Sequence, residues 1–141
     1  NDKLVENADA MGKRLMDGLN KLKERYSLLK DVRGMGLMIG FELGCPDSLR
    51  SKMEWKLIHA ASAGLFPQLI VIPLHRDHQV ITMASGHNDV IKLLPTMVIT
   101  EKEVDHFLNA METILRNSQE VGSENWKTIY QIAKRTIKGG D

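Results

Sequence analysis

Lys92 is the residue whose setting most invites a chemical role. It lies within Val90-Ile91-Lys92-Leu93-Leu94, a run apolar enough for a mostly buried strand, and a buried ammonium is costly unless an anion pairs with it. Two readings stand side by side on the residues alone. Either the strand alternates and turns Lys92 to water, or the side chain points into a pocket to meet an anionic group.

The other candidates are weaker. His75, Asp77, His78 and His87 fall close together, yet they meet none of the common metal-ligand spacings; a polar surface loop accounts for them. His59 and His106 fit the flanks or faces of helices. Cys45 is the single cysteine, with no local base or cationic setting to make it a nucleophile. There is no glycine-rich phosphate loop, nucleophile elbow or His-Glu-x-x-His. The residues by themselves therefore assign no catalytic, cofactor-binding or metal-ligating group.

Those residues need elements to position them. Leu4, Ala8, Met11, Leu15, Leu19 and Leu22 recur at steps of three or four, which predicts an amphipathic helix over 2–26. Gly12 and Gly18 each cost that helix about 1 kcal/mol against alanine, so packing must compensate. In the stretch 31–43, the glycines at 34, 36 and 40 argue against a helix and the apolar residues up to Leu43 suit a short strand. Gly34 and Gly36 suggest a tight approach or an unusual backbone angle at its entrance, and Cys45-Pro46-Asp47 closes it. Ser51-Lys52-Met53-Glu54 matches a capping box and predicts a helix over 52–63. For 65–78, Pro67 can open a second helix with Leu69, Ile72 and Leu74 or His75 inward, although the β-branched run favours a strand. We read it as a kinked helix.

Val80-Ile81-Thr82 and Val90–Leu94 read as two strands joined through Ser85-Gly86-His87-Asn88-Asp89. Thr100-Glu101-Lys102-Glu103 is a second capping box, followed by the apolar stripe of a helix over 101–116. A polar linker at 117–123 leads to a last helix over 124–138, with Trp126, Ile129, Tyr130, Ala133 and Ile137 on one face. The expected class is α+β: a small antiparallel or mixed sheet with helices packed on one side.

Composition sets the bounds. The chain has 141 residues, 43% of them hydrophobic and 26% charged, enough for one domain with a core of its own. A formal charge of +1 gives no field to steer a nucleic acid, and no apolar stretch approaches the roughly 18 residues of a membrane span. One cysteine and no export signal in the charged opening residues lead to the expectation of a reducing, cytoplasmic setting. Asn1 falls in what reads as the middle of a helix, which suggests a part upstream.

Two segments resemble one family. Asp31-Val32-Arg33-Gly34-Met35-Gly36-Leu37-Met38-Ile39-Gly40-Phe41-Glu42 is similar to the start of the C-terminal small domain of class III, fold-type I aminotransferases, which include the ornithine and acetylornithine enzymes. Asp89-Val90-Ile91-Lys92-Leu93-Leu94-Pro95-Thr96-Met97-Val98-Ile99-Thr100-Glu101-Lys102-Glu103 resembles the second motif of that domain. The resemblance covers about 1–116 and leaves 117–141 as a linker and an additional helix. It implies part of an enzyme that uses pyridoxal 5'-phosphate to move an amino group from an amino acid or amine to a keto acid or aldehyde. It also implies a missing N-terminal large domain that binds the cofactor, and a homodimer in the intact enzyme.

Many members carry arginine at the position of Lys92, where it grips a substrate carboxylate, so the resemblance makes Lys92 the substrate-binding candidate. Lysine offers a point charge in place of a planar fork, which implies looser carboxylate geometry or a different anion. Thr96 replaces one proline of a common pair. No residue matches the family's Schiff-base lysine, and the chain alone is expected to bind no cofactor and to be inactive. A decarboxylase or aminomutase of the same cofactor fold, or a stand-alone binding module without catalysis, remains the rival expectation.

Overall fold

The computed structural model describes residues 2–45, 47, 49–62, 64–86, 88–119 and 122–139, excluding the side chains of residues 2 and 49–51. Asn1, Pro46, His87 and the Ser51 hydroxyl, on which parts of the sequence reading rest, lie outside what is described. The order is α1 (Asp2–Arg25), β1 (Leu29–Met35), β2 (Met38–Leu43), α2 (Leu49–Ala61), α3 (Gln68–His78), β3 (Met83–Ala84), β4 (Val90–Leu93), α4 (Glu101–Gln119) and α5 (Glu124–Lys138). The four strands form one sheet in the order β1-β2-β4-β3, with every neighbouring pair antiparallel. The expected α+β class is found, and the sheet is wholly antiparallel.

The single strand expected over 31–43 is in fact a hairpin. Gly36 takes φ +54 at the first position of a two-residue loop between Met35 and Met38, an angle that an L side chain rarely adopts and glycine supplies. The turn is also where α1 comes closest: a Cβ on Gly12 would stand 2.1 Å from the Gly36 carbonyl oxygen. Gly18 is similar, filled by the Leu108 side chain of α4. Both helix glycines thus mark close approaches, the packing their propensity cost requires.

Register decides which way each strand faces. A bulge between Leu29 and Asp31 lets Leu29 and Val32 both point inward while Asp31 and Arg33 point out. Ile39, Phe41 and Leu43 of β2 and Ile91 and Leu93 of β4 join them on the inner face. Against that face lie Met11, Leu15, Leu19 and Leu22 of α1, Val104, Phe107, Met111 and Leu115 of α4, and Leu69, Ile70 and Leu74 of α3, in one continuous core. Leu4 is the exception on the stripe of α1, 37% exposed.

The middle of the chain departs most from expectation. α2 starts at Leu49, so Ser51 falls inside the helix and is not its cap. α3 does follow Pro67, which sits at the N-cap, and it carries Pro73 within; a proline there removes one helix hydrogen bond. Leu69 and Leu74 are buried as expected, whereas His75 is exposed. Gln79 ends α3 in the left-handed conformation at φ 57, and the Val80 amide donates back to the Leu74 carbonyl at 2.9 Å. That bond, six residues back around a left-handed residue, satisfies a carbonyl at the end of the helix. It consumes Val80, so the strand expected at 80–82 forms later, at Met83–Ala84.

The glutamate half of the capping box at α4 is present: Glu103 accepts from the Thr100 amide at 2.8 Å and from its hydroxyl at 3.0 Å. The helix runs past 116 to Gln119. α5 buries Trp126, Ile129 and Ala133 against α2, α3 and α4, while Tyr130 and Ile137 of its expected face are 40% and 56% exposed. The Trp126 indole donates to the Ser118 carbonyl at 2.7 Å.

Candidate functional site

The continuous apolar core lies against one face of the sheet, and Lys92 stands on the other. Along β4, Ile91 and Leu93 face the core, while Val90 and Lys92 face away from it; Val90 is buried on that side and Lys92 is exposed. The register places Arg33, Gly40, Lys92 and Met83 in one row across β1, β2, β4 and β3. Gly40, between the two cationic residues, carries no side chain, and the Val90 side chain borders it: a Cβ there would lie 3.6 Å from Val90 Cγ1. With strands spaced about 4.8 Å apart, Arg33 and Lys92 flank an open trough about 10 Å wide at the backbone.

The two cations differ in what they hold. Arg33 pairs with Asp31 on its own strand and with Glu42 on β2, the latter at 3.2 Å. The paired guanidinium holds the Asp31 carboxyl below its ordinary range, chiefly by hydrogen bonding. Lys92 makes no hydrogen bond or ion pair among the described residues. Around it, Met35, Met38, Met83 and Leu94 are 86%, 69%, 59% and 58% exposed. A cationic side chain ringed by uncovered apolar groups is a surface suited to receive an anion and a covering partner.

A groove of about 650 Å³ lies beside the end of β4, between the segment after α3 and the start of α4. Ile81, Thr82, Leu94, Pro95, Lys102 and His106 line it. The histidine cluster read from sequence does not assemble there. His75, Asp77 and His78 lie on the last turns of α3, not on a loop; Asp77 pairs with Arg76 at 2.6 Å, and His106 bonds the His78 carbonyl at 2.9 Å. Among the described residues no group of three or more His, Cys, Asp or Glu is placed to hold a metal, and no helix is long and apolar enough to cross a membrane.

Sequence reasoning missed one pair. His59 of α2 reaches Asp89, the residue before β4, with Nε2 2.7 Å from Oδ2. The ring's Nδ1 is 3.0 Å from the Trp55 carbonyl, and the Trp55 and Phe66 rings lie 4.0 and 5.3 Å away, centre to centre. Burial pushes the Asp89 carboxyl above its ordinary range, opposed by the His59 hydrogen bond. Thirty positions separate the two, and no local pattern links them.

Comparison with known proteins decides the family. The sequence profile of the family described as Aminotransferase class-III matches residues 1–115. The chain belongs to the class-III aminotransferases. It is 30% identical over 112 residues to the hypotaurine/taurine–pyruvate aminotransferase of Paracoccus denitrificans, which covers 79% of this chain and 23% of that enzyme. It is 26% identical over 114 residues to the acetylornithine aminotransferase of Caldanaerobacter subterraneus, covering 81% of this chain and 24% of the relative. Among solved structures, a transaminase from the marine bacterium Virgibacillus superposes with a TM-score of 0.62 at 27% identity, over 84% of this chain and 25% of that one. The chain thus spans about a quarter of the length of each. This class-III aminotransferase chain extends past the matched region with α5, which begins at Glu124.

Proposed function

We propose that this chain is the C-terminal small domain, residues 1–116, of a pyridoxal phosphate-dependent aminotransferase, with 117–141 added as a linker and buttressing helix. The whole enzyme moves an amino group from an amino acid or amine to a keto acid or aldehyde. Lys92 supplies the cationic contact for the anionic group of the substrate. The observation that carries this reading is the pairing of a family match over 1–115 with an uncovered sheet face on which Lys92 has no partner among the described residues.

The cofactor that the family implies does not fit onto this chain's own residues. Its aldehyde carbon needs a lysine in an enclosed cavity and its phosphate needs a cradle of donors; Lys92 stands exposed on an open face, flanked by Gly40 and Met83. The cofactor is therefore assigned to a large domain outside the sequence. That domain is also the partner that covers Met35, Met38, Met83 and Leu94, since a face this apolar is unfavourable in water. A homodimer in the cytoplasm completes the reading.

The relatives suggest the kind of anion. One of them is a hypotaurine/taurine–pyruvate enzyme, and a lysine point charge accepts sulfonate, sulfinate or carboxylate without demanding a planar fork. The test is amino transfer by the full-length protein supplied with pyridoxal phosphate. Donors with and without an anionic group are offered, and pyruvate or 2-oxoglutarate is the acceptor. Transfer that prefers an anionic partner is expected; absence of any transfer contradicts the reading.

A further inference from the structure

His59 and Asp89 make a partly buried polar contact, Nε2 to Oδ2 at 2.7 Å, and the proposed chemistry makes no use of it. The Trp55 carbonyl can only accept, so the ring nitrogen facing it at 3.0 Å, Nδ1, carries a hydrogen. Nε2 then faces the Asp89 carboxyl at 2.7 Å, and one further proton must lie in that gap. It sits on the ring, giving imidazolium and carboxylate, or on the carboxyl, giving two neutral groups. Without it, two lone pairs confront each other at hydrogen-bonding distance. The setting makes that state costly: the side chains of His59 and Asp89 are 23% and 13% exposed, and Asp89 Oδ1 is buried with no hydrogen-bond partner among the described residues.

The pair sits where it can govern β4. The Asp89 carbonyl accepts from the Leu43 amide at 2.8 Å, and Val90, the next residue, pairs with Glu42. Lys92 follows two positions later. On the helix side the ring is packed between Trp55 and Phe66, and Phe66 lies 6.0 Å from Trp126 of α5. The clasp therefore joins α2, backed by α5, to the start of the strand that carries Lys92.

We propose that His59 and Asp89 are positioning residues, a proton-held clasp that fixes the start of β4 and with it Lys92, and that releases when the shared proton is lost. The charged groups acting on Asp89 from neighbouring elements are His59 of α2 and Glu42 of β2, and Glu42 is itself held by Arg33 of β1. The faces packed on the His59 ring are the uncharged rings of Trp55 and Phe66. Burial, which raises the Asp89 carboxyl above its ordinary range, acts in the same direction. A raised group contributes stability at low pH that is lost as pH rises through its folded-state value.

Asp89→Asn separates this from a purely structural contact. The amide of the variant donates to neutral Nε2 while Nδ1–H keeps its bond to Trp55, so the clasp closes without a titrating proton. The measurement is hydrogen–deuterium exchange in the full-length protein, comparing parent with variant at each pH over the peptides holding Leu43 and 89–93. The parent-to-variant ratio of exchange rates is expected near one at the acid end of the folded range and at least fivefold higher at the alkaline end. His59→Phe, which fills the same aromatic stack, is expected to exchange fast at both. A ratio that stays flat, or a His59→Phe variant as protected as the parent, overturns the clasp.

The link to Lys92 rests on the proposed function and has its own readout. KM for an anionic substrate is expected to rise with pH in the parent and not in Asp89→Asn. If exchange behaves as expected while KM does not, the clasp stands and the role of Lys92 falls.

Discussion

At the scale of single residues, the titrating groups divide by sign. Asp105 is held below its ordinary range by two hydrogen bonds from Arg14, both 2.9 Å, and Asp31 by its bond from Arg33. Glu103 is held low by the Thr100 amide and hydroxyl. A lowered carboxylate contributes stability above its unfolded pKa, and the contribution is lost as pH falls through the folded value. The melting temperature should therefore drop as pH is taken below about 4, and Arg14→Met should make that acid slope shallower; an unchanged slope in the variant would show that the α1–α4 pair carries none of it. Asp89 has the opposite sign, so the two ends of the pH profile report on different residues. The chemistry of single residues was only partly legible in the sequence. The alternatives for Lys92 were both visible, and strand alternation decided its exposure. The His59–Asp89 contact was not visible, because it depends on how α2 is laid against the sheet.

At the scale of elements, long periodic helices were read well and short strands were not. The stripes of α1 and α4 run for many turns, so their period dominates any local breaker. β1 and β2 read as one strand because Gly34, Gly36 and Gly40 mask the alternation, and because the bulge after Leu29 shifts the parity of β1. The capping pattern at Ser51 misled, since α2 already begins at Leu49. β3 was displaced because Val80 is used to close α3. The contact of α1 with the hairpin turn gives a sharp prediction. Alanine in place of Gly12 gains about 1 kcal/mol of helix propensity. Its Cβ, however, would lie 2.1 Å from backbone oxygen, and such overpacking costs about 1–3 kcal/mol or more. The clash wins because backbone cannot swing aside as a side chain can. Denaturant unfolding should show Gly12→Ala destabilised by about 2 kcal/mol, while Gly86→Ala, with nothing within 4 Å, stays close to the parent. Equal midpoints for both variants would mean the helix shifts freely over the turn.

At the scale of the molecule, the arrangement is asymmetric. One sheet face carries the continuous core; the other carries Lys92, Arg33, buried Val90 and a rim of exposed methionines. The α+β class was legible because runs of helix bracket a few short strands. That the sheet would present a polar-centred, apolar-rimmed face was not, because it follows from register and register depends on turns. On that face Lys92 is the cation proposed to meet the substrate. The most direct measurement is steady-state kinetics of the full-length protein with Lys92→Ala, alongside its affinity for pyridoxal phosphate. KM for an anionic substrate should rise by about tenfold or more, as expected for a lost charge-assisted contact of roughly 1.5–3 kcal/mol, with cofactor affinity unchanged. Kinetics equal to the parent's, or an equal loss of cofactor, would contradict the account.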